Sequence, residues 1–256
     1  MKILITGGTG ALGREIATAA EAAGHSVRIG SRRARPATAP PAREWARMEM
    51  ASGRGMAAAL DGADAVIHAA SDPMRARSVD VEGTRLLAEA AGSAAIRHLV
   101  YVSIVGIDRI PFSYYRHKLA TERIVAASGV PFSILRATQF HTLIDMLLSA
   151  VSRVPFVIPL PADLRFQSVA PAEVAARLVR CVDAGPAGRR ADFGGPEAMT
   201  LGEMAAEWKD AHGVGKRVAR IPAPGALAAA LRAGHNTVPA GGDHGTVRWR
   251  DWLRSR

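Results

Sequence analysis

In the stretch TGGTGALG near the amino terminus, three of the four glycines are spaced three residues apart, at positions 7, 10 and 13. They follow a short β-branched run, Lys2–Thr6, and precede a helical pattern. At such a junction Gly7 would permit a tight turn, Gly10 would let the backbone approach a pyrophosphate, and Gly13 would let the helix pack on the strand. The amides at a helix N-terminus also attract phosphate. The spacing therefore predicts a dinucleotide site, with a merely glycine-rich turn as the alternative.

The stretch GSRRAR, at the end of the second predicted strand, offers Ser31, Arg32, Arg33 and Arg35. An acidic side chain at this position would accept hydrogen bonds from the adenosine ribose hydroxyls and would repel a phosphate. Planar guanidinium groups instead suit bidentate binding of a phosphate. The sequence therefore predicts NADP(H) in preference to NAD(H), with an ordinary solvated surface as the alternative for at least one of these arginines.

Tyr114 and Lys118 stand four residues apart in the stretch YYRHKLATE. On a helix this spacing places both side chains on one face, whereas Tyr115 points about 100° away. A free phenol, with a pKa of about 10, is a poor base at neutral pH, and a neighbouring ammonium group lowers that pKa. The pair could thus transfer a proton. The alternative is a tyrosine that only packs against a ligand.

These residues lie within alternating strand and helix patterns, which imply a parallel sheet covered on both faces. The predicted strands are Lys2–Thr6, His25–Gly30, a strand within Ala42–Met50, Asp64–Ala70, Arg97–Gly106 and Pro131–Thr138. The predicted helices between them are Gly13–Gly24, Gly55–Gly62, Val81–Gly92 and Tyr114–Gly129. Beyond about Gln139 the alternation breaks. The patterns there predict helices at Thr142–Val154, Ala172–Ala184 and Leu201–Gly213, with extended pieces at Asp163–Ala170 and Arg189–Gly195.

Several stretches resemble the extended and atypical short-chain dehydrogenase/reductase superfamily. TGGTGALG resembles its opening, and VIHAAS, Val66–Ser71, resembles the strand whose end lies along the cofactor. VEGTRLLAEAA resembles the following helix, YYRHKLATE carries the YxxxK arrangement, and ILRATQFH resembles the strand and loop over the nicotinamide. The layout is most similar to the NmrA-like branch, whose members include NADP-dependent reductases and redox sensors without turnover. The implied fold is α/β, a Rossmann-like doubly wound parallel sheet with a small C-terminal substrate-binding part.

The resemblance also implies roles for particular residues. Residues 1–140 would form the NAD(P)-binding core and residues 141–256 a mostly helical substrate-binding part, of which 165–195 would return to the core sheet. Tyr114 would be the acid or base at the substrate carbonyl, and Lys118 would bind the ribose and favour the phenolate. The implied cofactor-binding residues are Gly7, Thr9, Gly10, Ala11, Leu12, Gly13, Ser31, Arg32, Arg33, Ala69, Ala70, Ser71 and Lys118.

Two positions depart from the superfamily pattern. Val105 in VYVSIVG stands where a catalytic Ser or Thr is usual, and Ser103 lies two residues too early. Ser103 is a third catalytic candidate, which could also bond to cofactor or substrate. Asp80 in VDVEG stands where many members supply an Asn. Hydride transfer does not need these groups, because a conjugated or quinonoid acceptor chiefly needs a nicotinamide held close under a shaped pocket.

The substrate pocket is predicted beyond the sixth strand, because ligands of open α/β sheets lie at the carboxyl ends of strands. Its candidate residues are Phe112, Gln139, Phe140 and His141. His141 could be a general acid or could only order the loop. His68, inside a predicted strand, is predicted to be a packed structural histidine.

The motifs together predict an NADP(H)-dependent oxidoreductase that transfers hydride to a small, partly apolar substrate of carbonyl, enone or quinone type. Tyr114 would be the proton donor. Val105 favours a first alternative, a nonenzymatic NADP(H) redox sensor, and an isomerase or dehydratase that retains its nucleotide is a second. No HExxH motif, paired cysteine or carboxylate cluster supports a metal site.

Composition limits the remaining partners. No apolar run reaches the length of a membrane span and no secretory signal is evident, so we expect a cytoplasmic protein, monomeric or homodimeric. The net charge of +10 comes from arginines spread along the chain, without interleaved aromatics, which argues against nucleic acid. Cys181, the only cysteine, is predicted to be buried. Trp249, Trp252 and Leu253 share one helical face, which predicts a docked terminal helix.

Overall fold

The computed structural model describes all residues from 1 to 256 as strands, helices and their connections. The strands are β1 (Lys2–Thr6), β2 (Ser26–Ser31), β3 (Glu44–Arg47), β4 (Ala65–His68), β5 (His98–Ile104), β6 (Phe132–Ala137), β7 (Val157–Leu160), β8 (Arg165–Phe166), β9 (Gly188–Arg189), β10 (Phe193–Gly194), β11 (Met199–Thr200), β12 (Arg217–Arg220) and β13 (Asp243–His244). The α-helices are α1 (Ala11–Ala22), α2 (Met56–Leu60), α3 (Gly83–Ser93), α4 (Ser113–Ala127), α5 (His141–Val151), α6 (Pro171–Asp183), α7 (Leu201–His212), α8 (Ala226–Arg232) and α9 (Trp249–Arg254).

The chain divides into two compact units, each assembled from three segments. The first contains Met1–Ser103, Ser113–Leu135 and Val174–Arg190. The second contains Ile104–Phe112, Arg136–Glu173 and Ala191–Arg256. The assignment of cofactor and substrate roles to residues 1–140 and 141–256, with 165–195 in the core sheet, stays a prediction.

A sheet in the order β6-β5-β4-β1-β2-β3 forms the centre of the first unit, and β9 pairs with β6. Strand β1 is parallel to both β2 and β4, and the pairings β2–β3 and β4–β5 are also parallel. This order, with β1 between the two halves, is that of doubly wound dinucleotide-binding sheets. The predicted Rossmann-like α/β fold is confirmed.

Strands and helices of the first unit share one apolar core. Leu4, Val66 and Leu99 from the strands pack with Leu87 of α3 and Val125 of α4. All five side chains are fully buried. Because such a core is close-packed, it presents the loops that follow the strands along one fixed edge of the sheet.

The helix predicted at Val81–Gly92 begins earlier and less regularly than expected. A π-helical turn at Arg77–Glu82 leads directly into α3. This wide turn buries Asp80, whose exposed fraction is 1%. Periodicity alone does not reveal such a turn, because it adds a residue to the helical repeat.

The second unit contains shorter strands around its own core. Strand β7 is parallel to β12, β8 is antiparallel to β11, and β10 pairs in parallel with β13 and with Ala137. The sequence predicts neither β7, β12 nor α8, and all three are present. Three prolines interrupt the apolar pattern around β7. Strand β12 has only four residues, so both strands depend on each other for pairing.

The terminal helix α9 docks within the second unit as predicted. Trp249 and Leu253 are buried among α5 and α7 residues, and Trp252 packs at the edge of the same cluster. The Trp249 indole donates to the carbonyl oxygen of Met204 at 3.0 Å. Cys181, in α6, is buried as predicted. No helix anywhere in the structure combines the length and the apolar composition that crossing a bilayer demands.

Candidate functional site

The turn between β1 and α1 has no room for side chains. Gly7 has a φ of +69°, and a Cβ there would lie 2.8 Å from the backbone of Ala69 and Ala70. A Cβ on Gly13 would collide with the Gly7 carbonyl oxygen. The N-cap residue, Gly10, supplies no side-chain cap, and the first turn of α1 contains no acidic residue. The first amides of α1 are therefore available to an anion, which fits the pyrophosphate of a dinucleotide.

A cleft of about 340 Å³ opens at this turn, along the carboxyl ends of β1, β2 and β4. Its lining includes nine of the predicted cofactor-binding residues: Gly7, Thr9, Gly10, Ser31, Arg32, Arg33, Ala69, Ala70 and Ser71. Ala11, Leu12 and Gly13 lie in the first turn of α1, outside the lining. Lys118 does not line the cleft and is buried.

Two arginines absent from the predicted set lie beside this cleft. Arg47 and Arg54 line an adjoining cleft of about 310 Å³ together with Arg32 and Glu49. The Glu49 carboxylate lies 3.2 Å from Arg54, and its pKa is lowered by a hydrogen bond from Ser52 and by the nearby arginines. Three guanidinium groups and one carboxylate thus line the same cleft, an arrangement that suits an additional phosphate.

The arginines along the two clefts, Arg32, Arg33, Arg47 and Arg54, form an arginine rim. The sequence contained a signal for this rim. Strand β3 pairs in parallel with β2, and Ser31 stands opposite Arg47. The carboxyl ends of parallel neighbours meet at one edge of a sheet. Residues after the third predicted strand are therefore expected beside Ser31 if that strand neighbours the second one. The sequence alone does not give this strand order.

The Tyr114 hydroxyl is linked to the cleft through Ser71. The Tyr114 oxygen lies 2.6 Å from Ser71 Oγ. Ser71 donates to Asp80 Oδ1 at 2.6 Å, and the amide of Asp72 donates to Asp80 Oδ2 at 3.1 Å. Since Ser71 lines the cleft, the phenol lies one hydrogen bond away from it.

Lys118 lies on α4 one turn after Tyr114 but contacts other groups. Its ammonium donates to the Val102 carbonyl at 3.1 Å and lies 4.4 Å from the centre of the Tyr101 ring. Burial lowers the pKa of Lys118 to about 8. The amine is thus directed into the interior of the first unit.

The pKa of Tyr114 is raised rather than lowered, so the predicted effect of Lys118 is not the dominant one. Burial raises that pKa to about 12 and the charge of Asp80 raises it further, whereas a bond donated by Ser71 would act in the opposite direction. The Lys118 ammonium is directed to the Val102 carbonyl and the Tyr101 ring. The resting tyrosine is a protonated phenol at neutral pH.

A second cleft, of about 510 Å³, lies on the other side of Tyr114. Arg75, Arg77 and His117 line it together with Tyr114. Neither arginine pairs with a carboxylate, whereas Glu82 at the same cleft pairs with Arg85. The cleft therefore offers unpaired positive charge close to the phenol.

A family model described as NAD(P)H-binding matches residues 7–184, more than half of the chain. The chain belongs to this family. Members of the NAD(P)H-binding family form part of the atypical, NmrA-like branch of the short-chain dehydrogenase/reductase superfamily, so the resemblance noted from the motifs is confirmed.

Two curated relatives match 80% and 55% of this chain. A (4-alkanoyl-5-oxo-2,5-dihydrofuran-3-yl)methyl phosphate reductase from Streptomyces griseus is 33% identical over 213 residues, covering 80% of this chain and 72% of the relative. The photosystem II assembly factor Ycf39 from Synechocystis is 32% identical over 149 residues, or 55% of this chain. The chain spans 45% of that assembly factor.

Solved structures share the fold over nearly the whole chain. An NADPH-dependent quinone oxidoreductase from Escherichia coli superposes with a TM-score of 0.77 at 20% identity, covering 99% of this chain and 98% of the other. A nucleoside-diphosphate-sugar epimerase from Staphylococcus aureus gives 0.79 at 18% identity, covering 99% and 100%. With the reductase relative and the family match, the chain is an NAD(P)H-dependent oxidoreductase of the short-chain superfamily.

His68 is a structural residue of the first unit, as predicted. It is fully buried, with Nδ1 2.7 Å from Thr6 Oγ1 and Nε2 2.9 Å from Thr84 Oγ1. Burial lowers its pKa to about 3, with a smaller contribution from Lys118. The neutral imidazole therefore joins β1, β4 and α3 behind the cleft.

Ser103 stays a catalytic prediction. Its exposed fraction is 2%, and its hydroxyl has no hydrogen-bond partner in the protein. A buried hydroxyl without a partner is unusual, and it leaves Ser103 able to bond to a ligand.

The four predicted pocket residues belong to the second unit, and their role in a pocket stays a prediction. Phe112 is 41% exposed, and Phe140 is half-buried as the N-cap residue of α5. Gln139 is buried and accepts a hydrogen bond from Asn236 at 3.2 Å.

His141 is held by structural contacts. Its Nδ1 lies 2.7 Å from Ser168 Oγ and its Nε2 lies 3.2 Å from the Val247 carbonyl. Its ring contacts Trp249 and Trp252, and burial lowers its pKa to about 4. Both ring nitrogens are engaged, which favours the loop-ordering interpretation over a general acid.

Proposed function

We propose that this protein is an NADP(H)-dependent reductase of a small, partly apolar acceptor that contains a conjugated carbonyl, of enone or quinone type. The observation that carries the proposal is the hydrogen bond of 2.6 Å between Tyr114 and Ser71, a residue of the cofactor cleft. It places a protonated phenol beside the cleft that fits a dinucleotide. We further propose that the protein acts in the cytoplasm, as a monomer or homodimer.

Each group of the site has a distinct task in this reaction. A nicotinamide bound in the cleft would supply the hydride. The backbone around Gly7 and Gly10 binds the pyrophosphate, and Tyr114 donates a proton to the acceptor oxygen as negative charge develops there. The reductase from Streptomyces griseus and the quinone oxidoreductase from Escherichia coli support hydride transfer to such acceptors.

Preference for NADP(H) rests on the arginine rim. Arg32 and Arg33 line the cofactor cleft, and Arg47 and Arg54 lie beside Arg32 in the adjoining one. Glu49 could accept hydrogen bonds from ribose hydroxyls, which would favour NAD(H), but the surrounding arginines outnumber it. A structure of the Escherichia coli quinone oxidoreductase contains NADPH, which agrees with this choice.

An anionic substituent on the acceptor is the finer part of the proposal. The Streptomyces griseus relative is a reductase of a (dihydrofuranyl)methyl phosphate, so its substrate carries a phosphate group. Arg75 and Arg77 offer unpaired charge in the cleft beside Tyr114, and guanidinium groups bind phosphate or carboxylate well. We therefore assign the second cleft to the anionic end of the acceptor.

Stopped-flow oxidation of NADPH tests this function. The acceptors are quinones, enones and ketones, with each enone supplied with and without a phosphate ester. We expect oxidation by enones or quinones, and a lower KM for the phosphorylated member of a pair. Tight NADPH binding without oxidation by any acceptor would instead support the redox sensor that Val105 suggests. An absence of binding would overturn the cofactor assignment itself.

A further inference from the structure

A hydrogen-bonded chain connects the Tyr114 phenol to a buried carboxylate. Tyr114 contacts Ser71 at 2.6 Å, and Ser71 contacts Asp80 at 2.6 Å. Asp80 is 1% exposed, and its second oxygen accepts from the amide of Asp72 at 3.1 Å. Both carboxylate oxygens are thus fixed by donors in the loop after β4.

The chemistry of the three groups sets the direction of these bonds. A carboxylate can only accept, so the single proton of Ser71 is committed to Asp80. Ser71 then offers only lone pairs to Tyr114. A contact of 2.6 Å between two oxygens requires a proton between them, and that proton must belong to the phenol. The bond between Ser71 and Tyr114 is therefore donated by Tyr114.

We propose that Asp80 acts through Ser71 as a positioning residue that keeps Tyr114 protonated and so commits the site to proton donation. The catalytic half of this statement rests on the proposed function; the resting state of the phenol does not. A base at this position would serve alcohol oxidation, whereas a protonated phenol serves reduction.

At position 80, an Asp and an Asn would have opposite effects on the hydrogen bond between Ser71 and Tyr114. The superfamily resemblance leads one to expect Asn where this chain has Asp80. An amide can donate to Ser71 Oγ, which would release the Ser71 proton to stabilise a phenolate at Tyr114. A carboxylate cannot do so. Any lowering of the Tyr114 pKa by Ser71 requires donation from Ser71, which Asp80 prevents.

The other charged and titratable groups near Tyr114 do not reverse this effect. Asp72 and Tyr115 act in the same direction as Asp80. Lys118 is turned toward Val102. Groups of the second cleft and the buried ring behind the phenol also lie near it, and the pKa of Tyr114 stays raised among them: Arg75, Arg77, Glu82, His117 and Tyr101.

The proton balance of the reductive step is simple. As hydride adds to carbon, the phenol O–H bond breaks and an O–H bond forms on the acceptor, which leaves a phenolate at Tyr114. Ser71 is exposed to solvent, so water can return the proton to Tyr114. Asp80 neither gains nor loses a proton in this sequence.

Tyrosine labelled with ¹³C at Cζ allows the phenol to be titrated by NMR without any acceptor or cofactor. Tyr114→Phe identifies the Tyr114 resonance by its absence. We expect the parent Tyr114 to remain a phenol up to a pH of about 11, and Asp80→Asn to lower its pKa by at least about one unit. Because no turnover is needed, this result stands or falls independently of the proposed function.

Asp72→Asn is the matched control, since it removes a nearby charge whose side chain accepts from Met74 rather than from Ser71. It should shift the Tyr114 titration less than Asp80→Asn does. An unchanged titration in Asp80→Asn, or an equal shift in both variants, overturns the proposal.

Ser71→Ala, at an exposed position, provides a second test if Asp80→Asn fails to fold. Loss of an acceptor for the phenol proton should lower the Tyr114 pKa, and a rise contradicts the assigned bond direction. In the Ser71→Ala background Asp80→Asn should have a reduced effect. An undiminished effect would mean that Asp80 acts by charge alone and not through Ser71.

With an active acceptor, the alkaline limb of the pH profile of kcat should move to lower pH in Asp80→Asn, while the KM for NADPH stays unchanged.

Discussion

The β1–α1 turn and helix α4 both place functional residues at fixed spacing, but by different means. In the turn the backbone itself forms the surface proposed to bind the pyrophosphate, and a Cβ on Gly7 or Gly13 would collide with neighbouring backbone. On α4 the spacing puts Tyr114 and Lys118 on one face, yet Tyr114 contacts Ser71 and Lys118 contacts Val102. The spacing of residues in the sequence therefore specifies a site built from backbone atoms almost completely. A side-chain site depends on neighbours that the motif does not contain.

The largest expected effect concerns Tyr114. Tyr114→Phe removes the donated proton and should lower kcat by about 10²- to 10⁴-fold, the usual contribution of a general acid. The dissociation constant for NADPH, measured by fluorescence, should not change. Tyr115→Phe is the control, because Tyr115 is buried on a different side of α4 and should retain kcat. An unaltered kcat in Tyr114→Phe would leave Tyr114 without a catalytic role.

Gly7→Ala tests the backbone side of the comparison. A left-handed backbone costs a residue with a Cβ about 1–2 kcal/mol, and here the added atom would also displace Ala69 and Ala70. We expect an NADPH affinity lower by about 10- to 100-fold, measured by calorimetry. Gly24→Ala shares the positive φ, at +79°, but its Cβ would meet nothing within 4 Å. It should lose stability without losing affinity, and equal affinity losses in both variants would show that general strain, not the cleft, is responsible.

The arginine rim provides an intermediate effect. Replacing Arg32 and Arg33 together with Ala should weaken NADPH binding by about tenfold or more and leave NADH binding nearly unchanged, since only NADPH carries the extra phosphate. Arg35→Ala is the control, because Arg35 contacts the carbonyls of Pro40 and Pro41 and does not line the cleft. Equal affinities of the parent protein for both coenzymes would refute the preference.

The smallest effect is a change in the pH dependence of stability. The pKa of His68 is lowered to about 3, against 6.5 in the unfolded chain. Between these two pH values the unfolded state binds a proton at His68 and the native state does not. Stability supported by neutral His68 is complete above pH 6.5 and is lost as the pH falls toward 3. Between pH 7 and 5 the loss amounts to about 2 kcal/mol. His68→Gln should remove most of that loss in urea unfolding, and a parent-like loss in the variant would contradict the assignment.

The features predicted correctly are those in which one segment carries the whole signal. The glycine turn, the strand–helix alternation, buried His68 and docked α9 each follow from local pattern and burial. Arg47 and Arg54 were missed because their position beside Arg32 depends on strand order. The direction of Lys118 depends on the Val102 carbonyl and the Tyr101 ring, which no spacing on α4 encodes.

The second unit shows the same limit at the level of whole elements. Strands β7 and β12 have four residues each and pair with one another across some sixty positions of sequence. Neither strand shows enough alternation of apolar and polar residues to be recognised from its own sequence. Their existence follows from a tertiary pairing, which a local reading of the chain does not contain.

The π turn at Arg77–Glu82 has a consequence for how this site can change over time. A helix that contains one surplus residue holds the segments before and after it at different rotational phases, about 100° apart for each residue gained or lost. A single-residue deletion within the turn would rotate Asp80 away from Ser71 and bring a valine, Val79 or Val81, toward it. Deletion of one codon is therefore enough to change the protonation control of Tyr114 without altering the sheet or the glycine turn.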